Sequence, residues 1–388
     1  MKKILCLIIA LLILSSSFNF AGDEIDDFEL DYFYARGKVL EVLSDLQNIN
    51  ENNTGELNID HQVVKIKVTN GKYKNQEFII DNYVSGNPVF DIIVKKGDNV
   101  ILDIEEDENG IPQIAISEFA RDKYSGMLLL IFASLLILIG KKQGIKSVIS
   151  LTLTGIVMMK FMLPLILKGH NPIWIAIVSA TIITSVTFII IAGINIKSFS
   201  AIIGTVGGVV TAGVLAYIVG SLVKLTGLSS EEANMLMFIP QQINFDYRGL
   251  LFAGIIIGTL GAVMDIGMSI ASAMYEMKAI NPEIPPKTLI SSGLNIGKDV
   301  MGTMSNTLIL AYTGSSIPLL LLFMAYETPL IKILNLDMIA TEIVRALVGS
   351  IGLIVAIPIT AFSTGIILKY KHLFPKIKRQ NCEEKQFD

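Results

Sequence analysis

From Met127 onward, long apolar runs alternate with short polar links. The runs lie near 127–140, 147–168, 172–193, 199–223, 250–274, 301–324 and 345–368. A spanning helix needs about 20 predominantly apolar residues to cross a hydrocarbon core roughly 30 Å thick, and all but the first run reach that length. The pattern predicts an all-α polytopic membrane bundle of about seven transmembrane helices.

The first hundred residues follow a different rhythm. Val64-Lys65-Ile66-Lys67-Val68 alternates with the period of two of a half-buried strand, and Asn70-Gly71 after it is a hairpin signal. Short runs at Phe78–Ile80, Val89–Val94 and Asn99–Ile104, with a turn at Gly97-Asp98, extend the series. Together they predict a small antiparallel barrel or sandwich, acting as a binding module or as a solvated cap. Lys2 and Lys3, the apolar stretch Ile4–Leu14 and the small, polar exit Ser15–Ala21 have the form of an export signal. The expected organisation is therefore a signal peptide or N-terminal anchor at 1–21, an extracytoplasmic β-rich domain at 22–125, a transmembrane helix bundle at 126–369, and a basic, polar cytoplasmic tail at 370–388.

Charge gives the orientation. With the β domain outside, the cytoplasmic links carry Lys141, Lys142, Lys146, Lys197, Lys278, Lys287 and Lys298, and the tail adds Lys369, Lys371, Lys376, Lys378 and Arg379. The opposite links hold fewer, mainly Lys168, Lys224, Arg248 and Lys332. An excess of Lys and Arg marks the cytoplasmic side, so the N-terminal domain is expected outside and the C-terminus in the cytoplasm. In the outer link, Ser229-Ser230-Glu231-Glu232 is a capping-box start for a short helix ending at Pro240.

Composition narrows the function classes. The chain is 52% hydrophobic and 17% charged, and its net charge of −4 gives no basic field for nucleic acid. Two cysteines at opposite ends, Cys6 and Cys382, form no disulfide framework, and the scattered His61, His170 and His372 suit no zinc site. No metal site and no cofactor are expected, and the patterns of a phosphate-binding loop, a nucleophile elbow and a zinc protease are absent.

The candidate chemistry lies in polar stripes within the last third of the chain. Gly254, Gly258, Gly261, Asp265, Ser269, Ser272 and Glu276 are three or four residues apart and share one helical face. An aspartate inside an apolar run is expected to face protein or water, either as a packing carboxylate or as part of an ion, proton or substrate site. Asn295, Asp299, Gly302, Asn306 and Thr313 form a second stripe with Lys298 beside it. The glycine-rich run Ser291–Asp299 around its start reads as a broken or re-entrant segment, or as an ordinary polar loop at the inner surface. A third stripe runs through Arg345, Gly349, Gly352, Ala356 and Thr360, with Pro358 as an expected kink. Gly204, Gly207 and Gly208 give the fourth span a tight face. Helix packing is the expected role of Gly204, Gly208, Gly254, Gly258, Gly261, Gly349 and Gly352.

The segments Gly258-Thr-Leu-Gly-Ala-Val-Met-Asp265-Ile-Gly-Met-Ser-Ile270, Ser292-Gly-Leu-Asn-Ile-Gly-Lys-Asp299, Asn306-Thr-Leu-Ile-Leu-Ala-Tyr-Thr-Gly-Ser-Ser316 and Val348-Gly-Ser-Ile-Gly-Leu-Ile-Val-Ala-Ile-Pro-Ile-Thr360 resemble the YibE/F family of bacterial membrane proteins. The resemblance covers nearly the whole chain. It implies a multi-pass protein of the bacterial cell (plasma) membrane but carries over no activity and no site residues. From the stripes alone, the expectation is a transporter-like or permease-like protein and not an enzyme. Asp265, Ser269, Ser272, Glu276, Asn295, Lys298, Asp299 and Asn306 are its candidates for contacting a small molecule or ion in an interior polar site. The alternatives are a non-transporting assembly or sensory partner acting through the β domain, and an intramembrane aspartyl protease using Asp265 and Asp299. The expected partners are the lipid bilayer and that small molecule or ion, with no nucleic acid; homo- or hetero-oligomers remain open.

Overall fold

The computed structural model describes residues 32–44, 60–85, 87, 91–107, 110–239 and 245–370. The expected signal segment and the tail beyond Tyr370 lie outside the described residues. The chain divides into two compact units, one within 19–135 and the other formed mainly from 136 onward.

The first unit is a five-stranded antiparallel half-barrel of β1 (Tyr32–Ser44), β2 (Asp60–Val68), β3 (Glu77–Val84), β4 (Asn99–Glu106) and β5 (Pro112–Phe119), in the order β3-β2-β1-β4-β5. The alternation in β2 sets its register: Val64, Ile66 and Val68 turn inward with Ala35 and Val39 of β1 and Val100, Leu102 and Ile104 of β4. Gly37 leaves room for this core, since a Cβ there would come within 2.7 Å of Leu102 and 2.8 Å of Ile66. Beyond the expected strands, the structure adds β1 and β5. Conversely, the run expected as a strand at 89–94 has no ladder over its described residues Asp91–Val94. Side-chain amides hold it instead: Asn82 Nδ2 donates to the Ile92 carbonyl (2.7 Å), and the Val94 amide donates to buried Gln62 Oε1 (3.0 Å).

At the end of β4, Glu106 accepts hydrogen bonds from Lys72 Nζ (2.6 Å) and Tyr73 Oη (2.8 Å). The Lys72 ammonium, and then the Tyr73 hydroxyl, hold its carboxyl below the ordinary glutamate range. A depressed folded value contributes stability that is present above the unfolded value of about 4.3 and lost as pH falls through the folded one. Acidification below about pH 4.3 is therefore expected to make this unit more sensitive to proteolysis. In Glu106→Gln, cleavage should start from a weaker baseline and depend less on pH; an unchanged pH profile in that variant would disprove the assignment.

The second unit is helical. It comprises α1 (Asp122–Val157), whose first residues belong to the other unit, then α2 (Leu163–Leu167), α3 (Pro172–Ala192), α4 (Ile196–Leu222), α5 (Glu231–Met235), α6 (Tyr247–Ile280), α7 (Pro286–Ser315), α8 (Ile317–Ala325), α9 (Leu330–Leu334) and α10 (Asp337–Lys369). Among the described residues, five helical stretches are long and apolar enough to cross a membrane, and six if the bent pair α7 and α8 is one span. The difference from seven lies in 122–167, a single 46-residue stretch by this measure. Its backbone leaves the helix at Lys141 (φ 47°, ψ −124°), where the chain turns so that a Cβ on Gly144 would overlap the Leu136 carbonyl. A second irregularity, the π-turn Met158–Met162, precedes Pro164, which has no N–H to donate to the helical ladder. Lys160 itself is exposed.

Side-chain caps start the helices where the apolar runs begin. Asn171 accepts from the Ile173 amide, Asn195 from Ser198 and Asp246 from Gly249. Ser230 caps α5, the short helix expected in the outer link. The bundle core centres on α6 and α10, with Ile256, Val263, Ile266, Ile270, Leu353 and Ile357 buried together. The most apolar window of 122–167, in contrast, has no buried residue.

The glycine-rich run at Ser291–Asp299 is neither broken nor a loop: it lies inside the continuous helix α7. Gly293 and Gly297 are buried contact points there. A Cβ on Gly297 would come 3.1 Å from Ile270 and overlap Ile357, and one on Gly293 would overlap the Met274 sulfur. Close packing offsets the helix cost of each glycine, about 1 kcal/mol. The break falls instead within the apolar run expected at 301–324, at Ser316, where α7 and α8 bend by 57° with Pro318 in the first turn of α8. α10 continues as one helix through Pro358.

Candidate functional site in the helical unit

The contacts of α6 with α7 define an antiparallel register. Met274 lies against Gly293, Ile270 against Gly297, and the Tyr312 hydroxyl over Gly258. Carried evenly between these contacts, the register sets Gly261 level with Asn306, Asp265 with Gly302, Ser269 with Lys298, and Ser272 with Asn295. The two polar stripes thus match rung by rung, from Glu276 at one end to Tyr312 at the other.

Their placement is the main surprise. On α6, Gly254, Gly258, Gly261, Asp265, Ser269 and Glu276 are exposed and Ser272 is half-buried, whereas Ile255, Ile256, Val263, Ile266 and Ile270 on the other side fill the core. On α7, Asn295, Lys298, Asp299, Gly302, Asn306 and Thr313 are exposed, and the packed positions Leu289, Gly293, Gly297 and Leu308 lie opposite them. The candidate residues are therefore exposed on two neighbouring helices, each stripe on the side away from its helix's packed positions. Among the described residues, none of Asp265, Glu276, Lys298 and Asp299 takes part in an ion pair.

The glycines divide in the same way. A Cβ on Gly208 would lie 2.7 Å from Ala356 and from the Gly352 carbonyl, and one on Gly352 would lie 2.7 Å from Ala212. Gly204 abuts Thr360 and Gly349 abuts Thr259 more closely still. These four let α4, α10 and α6 approach nearly to backbone contact. Gly254 and Gly261 have nothing within 4 Å of an added Cβ, and Gly258 meets only Tyr312. Within this chain the α6 glycines leave a shallow trough.

Residues 128–370 match the YibE/F-like protein family, and residues 32–119 match the YibE/F family N-terminal domain. The chain belongs to the YibE/F family. No curated protein and no solved structure matches it.

In this YibE/F chain the third stripe ends in a polar cluster that sequence reasoning caught only in part. Arg345 Nη1 pairs with Glu342 Oε1 at 2.8 Å, with the side chains 29% and 25% exposed, and the guanidinium lies 5.9 Å from the centre of the Tyr312 ring. Glu342 Oε2, Tyr312 Oη and Ser305 Oγ are buried atoms without hydrogen-bond partners. The available signal was the i, i+3 spacing of Glu342 and Arg345 inside a span. Among the described residues, no cluster of His, Cys, Asp and Glu could hold a metal ion.

Proposed function

We propose that this YibE/F protein is permease-like and moves a small molecule or ion along the polar track shared by α6 and α7. The observation that carries the reading is the level matching of two exposed polar stripes on neighbouring helices. Unpaired carboxylates, an amine, two amides and two serine hydroxyls at successive depths offer a desolvated solute repeated partners, and Asp265 is the central charge. Counting the stretches on either side of Lys141 as two crossings, and α7 with α8 as one, gives seven. An odd number puts the β domain and the C-terminus on opposite sides, in keeping with the lysine bias for a plasma membrane with the β domain outside. Lys298 and Asp299 then lie toward the cytoplasm as gate residues, and Ser269 and Asn306 support Asp265. The protease alternative lacks comparable support, because the register sets Asp299 about three residues from the level of Asp265, roughly 4.5 Å along the helices.

The test uses purified protein in liposomes under imposed pH and alkali-cation gradients read by fluorescent dyes, with Asp265→Asn for comparison. Wild type is expected to dissipate one of these gradients, and Asp265→Asn to do so at least about ten times more slowly, a barrier change near 1.4 kcal/mol. Single cysteines at Ser269 and Asn306 should react with a water-soluble maleimide. If no gradient decays and neither cysteine reacts, the permease reading fails. Loss of function on removal of residues 32–119, with Asp265→Asn silent, would favour the assembly or sensory alternative.

A further inference from the structure

We infer that the open α6/α7 face is the interface between two copies of this chain, so that each polar track is completed only by the other copy. The inference builds on the track of the proposed function, although it does not require that anything be transported. Lipid is a poor cover for this face. Asp265 would cost about 2.5–3.5 kcal/mol at mid-membrane on insertion scales, and Asp265 and Lys298 both stand exposed without an ion-pair partner among the described residues. The trough at Gly254 and Gly261, together with Gly302 across from it, is open to an approaching helix.

Charge complementarity points to a second copy of the same chain. The face carries both signs, with Asp265, Glu276 and Asp299 against Lys298. A two-fold axis along the membrane normal preserves depth, so each residue meets the other copy's residues at its own level. Lys298 is level with Ser269, four residues from Asp265 on the same stripe, or about 6 Å. An extended lysine reaches that far, so the second copy's Lys298 can neutralise Asp265, and the relation is reciprocal. Such a self-complementary patch is what an isologous interface requires, and two-fold dimers are the commonest closed assemblies.

The experiment uses the full chain with Cys6 and Cys382 changed to serine, in native membranes and in lipid nanodiscs. Gly261→Cys and Gly302→Cys add little volume to open space. A short bis-maleimide should cross-link each to twice the chain mass, several-fold above Trp174→Cys, a control at an exposed position on α3. Lys298→Glu should lower the cross-linked fraction, and adding Asp265→Lys should restore it. Single-molecule photobleaching in nanodiscs should show two chains per particle. One chain per particle with cross-linking no better than the control would overturn the inference, as would cross-links only to a band of another mass. A dimer that dissipates no gradient would sink the permease reading and keep the interface, whereas an active monomer would do the reverse.

Discussion

In single chains dispersed in detergent, Gly352→Leu is expected to lower the unfolding temperature of the helical unit by roughly 10 °C, or to eliminate the folded species, whereas Gly254→Leu should leave it within about 2 °C of wild type. Both substitutions add the same side chain to a glycine in an apolar helix, so propensity and transfer terms nearly cancel in the comparison. What differs is the neighbourhood. At Gly352 a Cβ would already be 2.7 Å from the Ala212 Cβ and 2.9 Å from the Gly208 carbonyl, before the rest of a leucine is placed. Because one of these neighbours is backbone, no rotamer change relieves the overlap. α4 would have to move, and a Cβ on Gly208 would itself be 3.0 Å from Val263 of α6, so the displacement passes into the core. Overpacking in a dense interior costs about 1–3 kcal/mol and sometimes more, and this site belongs at the upper end. In lipid, helix association rests largely on van der Waals packing, so little hydrophobic drive would hold the parted helices together. At Gly254 the space is empty. Size-exclusion recovery after heating measures both variants, and equal melting of the two would contradict the packing described for α4 and α10.

That pair of glycines also shows what the sequence made legible. Spacing alone put Gly349, Gly352, Ala356 and Thr360 on one face, and Gly254, Gly258 and Gly261 on another. Both faces exist, but only the first is covered within the chain. In a membrane, glycine and polar residues both signal a side turned away from lipid, and neither tells whether the cover is the same chain, water or another molecule. The run Ser291–Asp299 was misread for a related reason. Glycine counts as a breaker when only local propensity is weighed, but Gly293 and Gly297 occupy the positions where α7 touches Met274, Ile270 and Ile357. In the β unit, β1 was missed because its buried Ala35 and Gly37 carry almost no hydrophobic signal. The alternation around Ile66 was strong enough to be read without its partners.

Arg345→Met is expected to destabilise the helical unit by about 3–5 kcal/mol, and the double variant Arg345→Met/Glu342→Gln to recover most of that loss. In the native chain Glu342 has one oxygen on Arg345 at 2.8 Å and the other buried without a partner, so the guanidinium is its counter-charge. Removing Arg345 leaves a carboxylate in a site where three quarters of its side chain is shielded. Taking away both charges leaves an amide and a thioether of similar bulk, and replacement of a shielded ion pair is often close to neutral. Arg345→Lys separates the two contributions of the arginine, since it keeps the charge but not the planar group 5.9 Å from the Tyr312 ring. Its loss should fall between those of the single and double variants if that contact helps fix α7 to α10. Thermal unfolding of the variants in one lipid gives the coupling between Arg345 and Glu342, and a coupling above about 1 kcal/mol is expected for groups in direct contact. A value near zero would mean that water reaches the pair fully, and the polar cluster would then lie at the membrane surface instead of within the bundle.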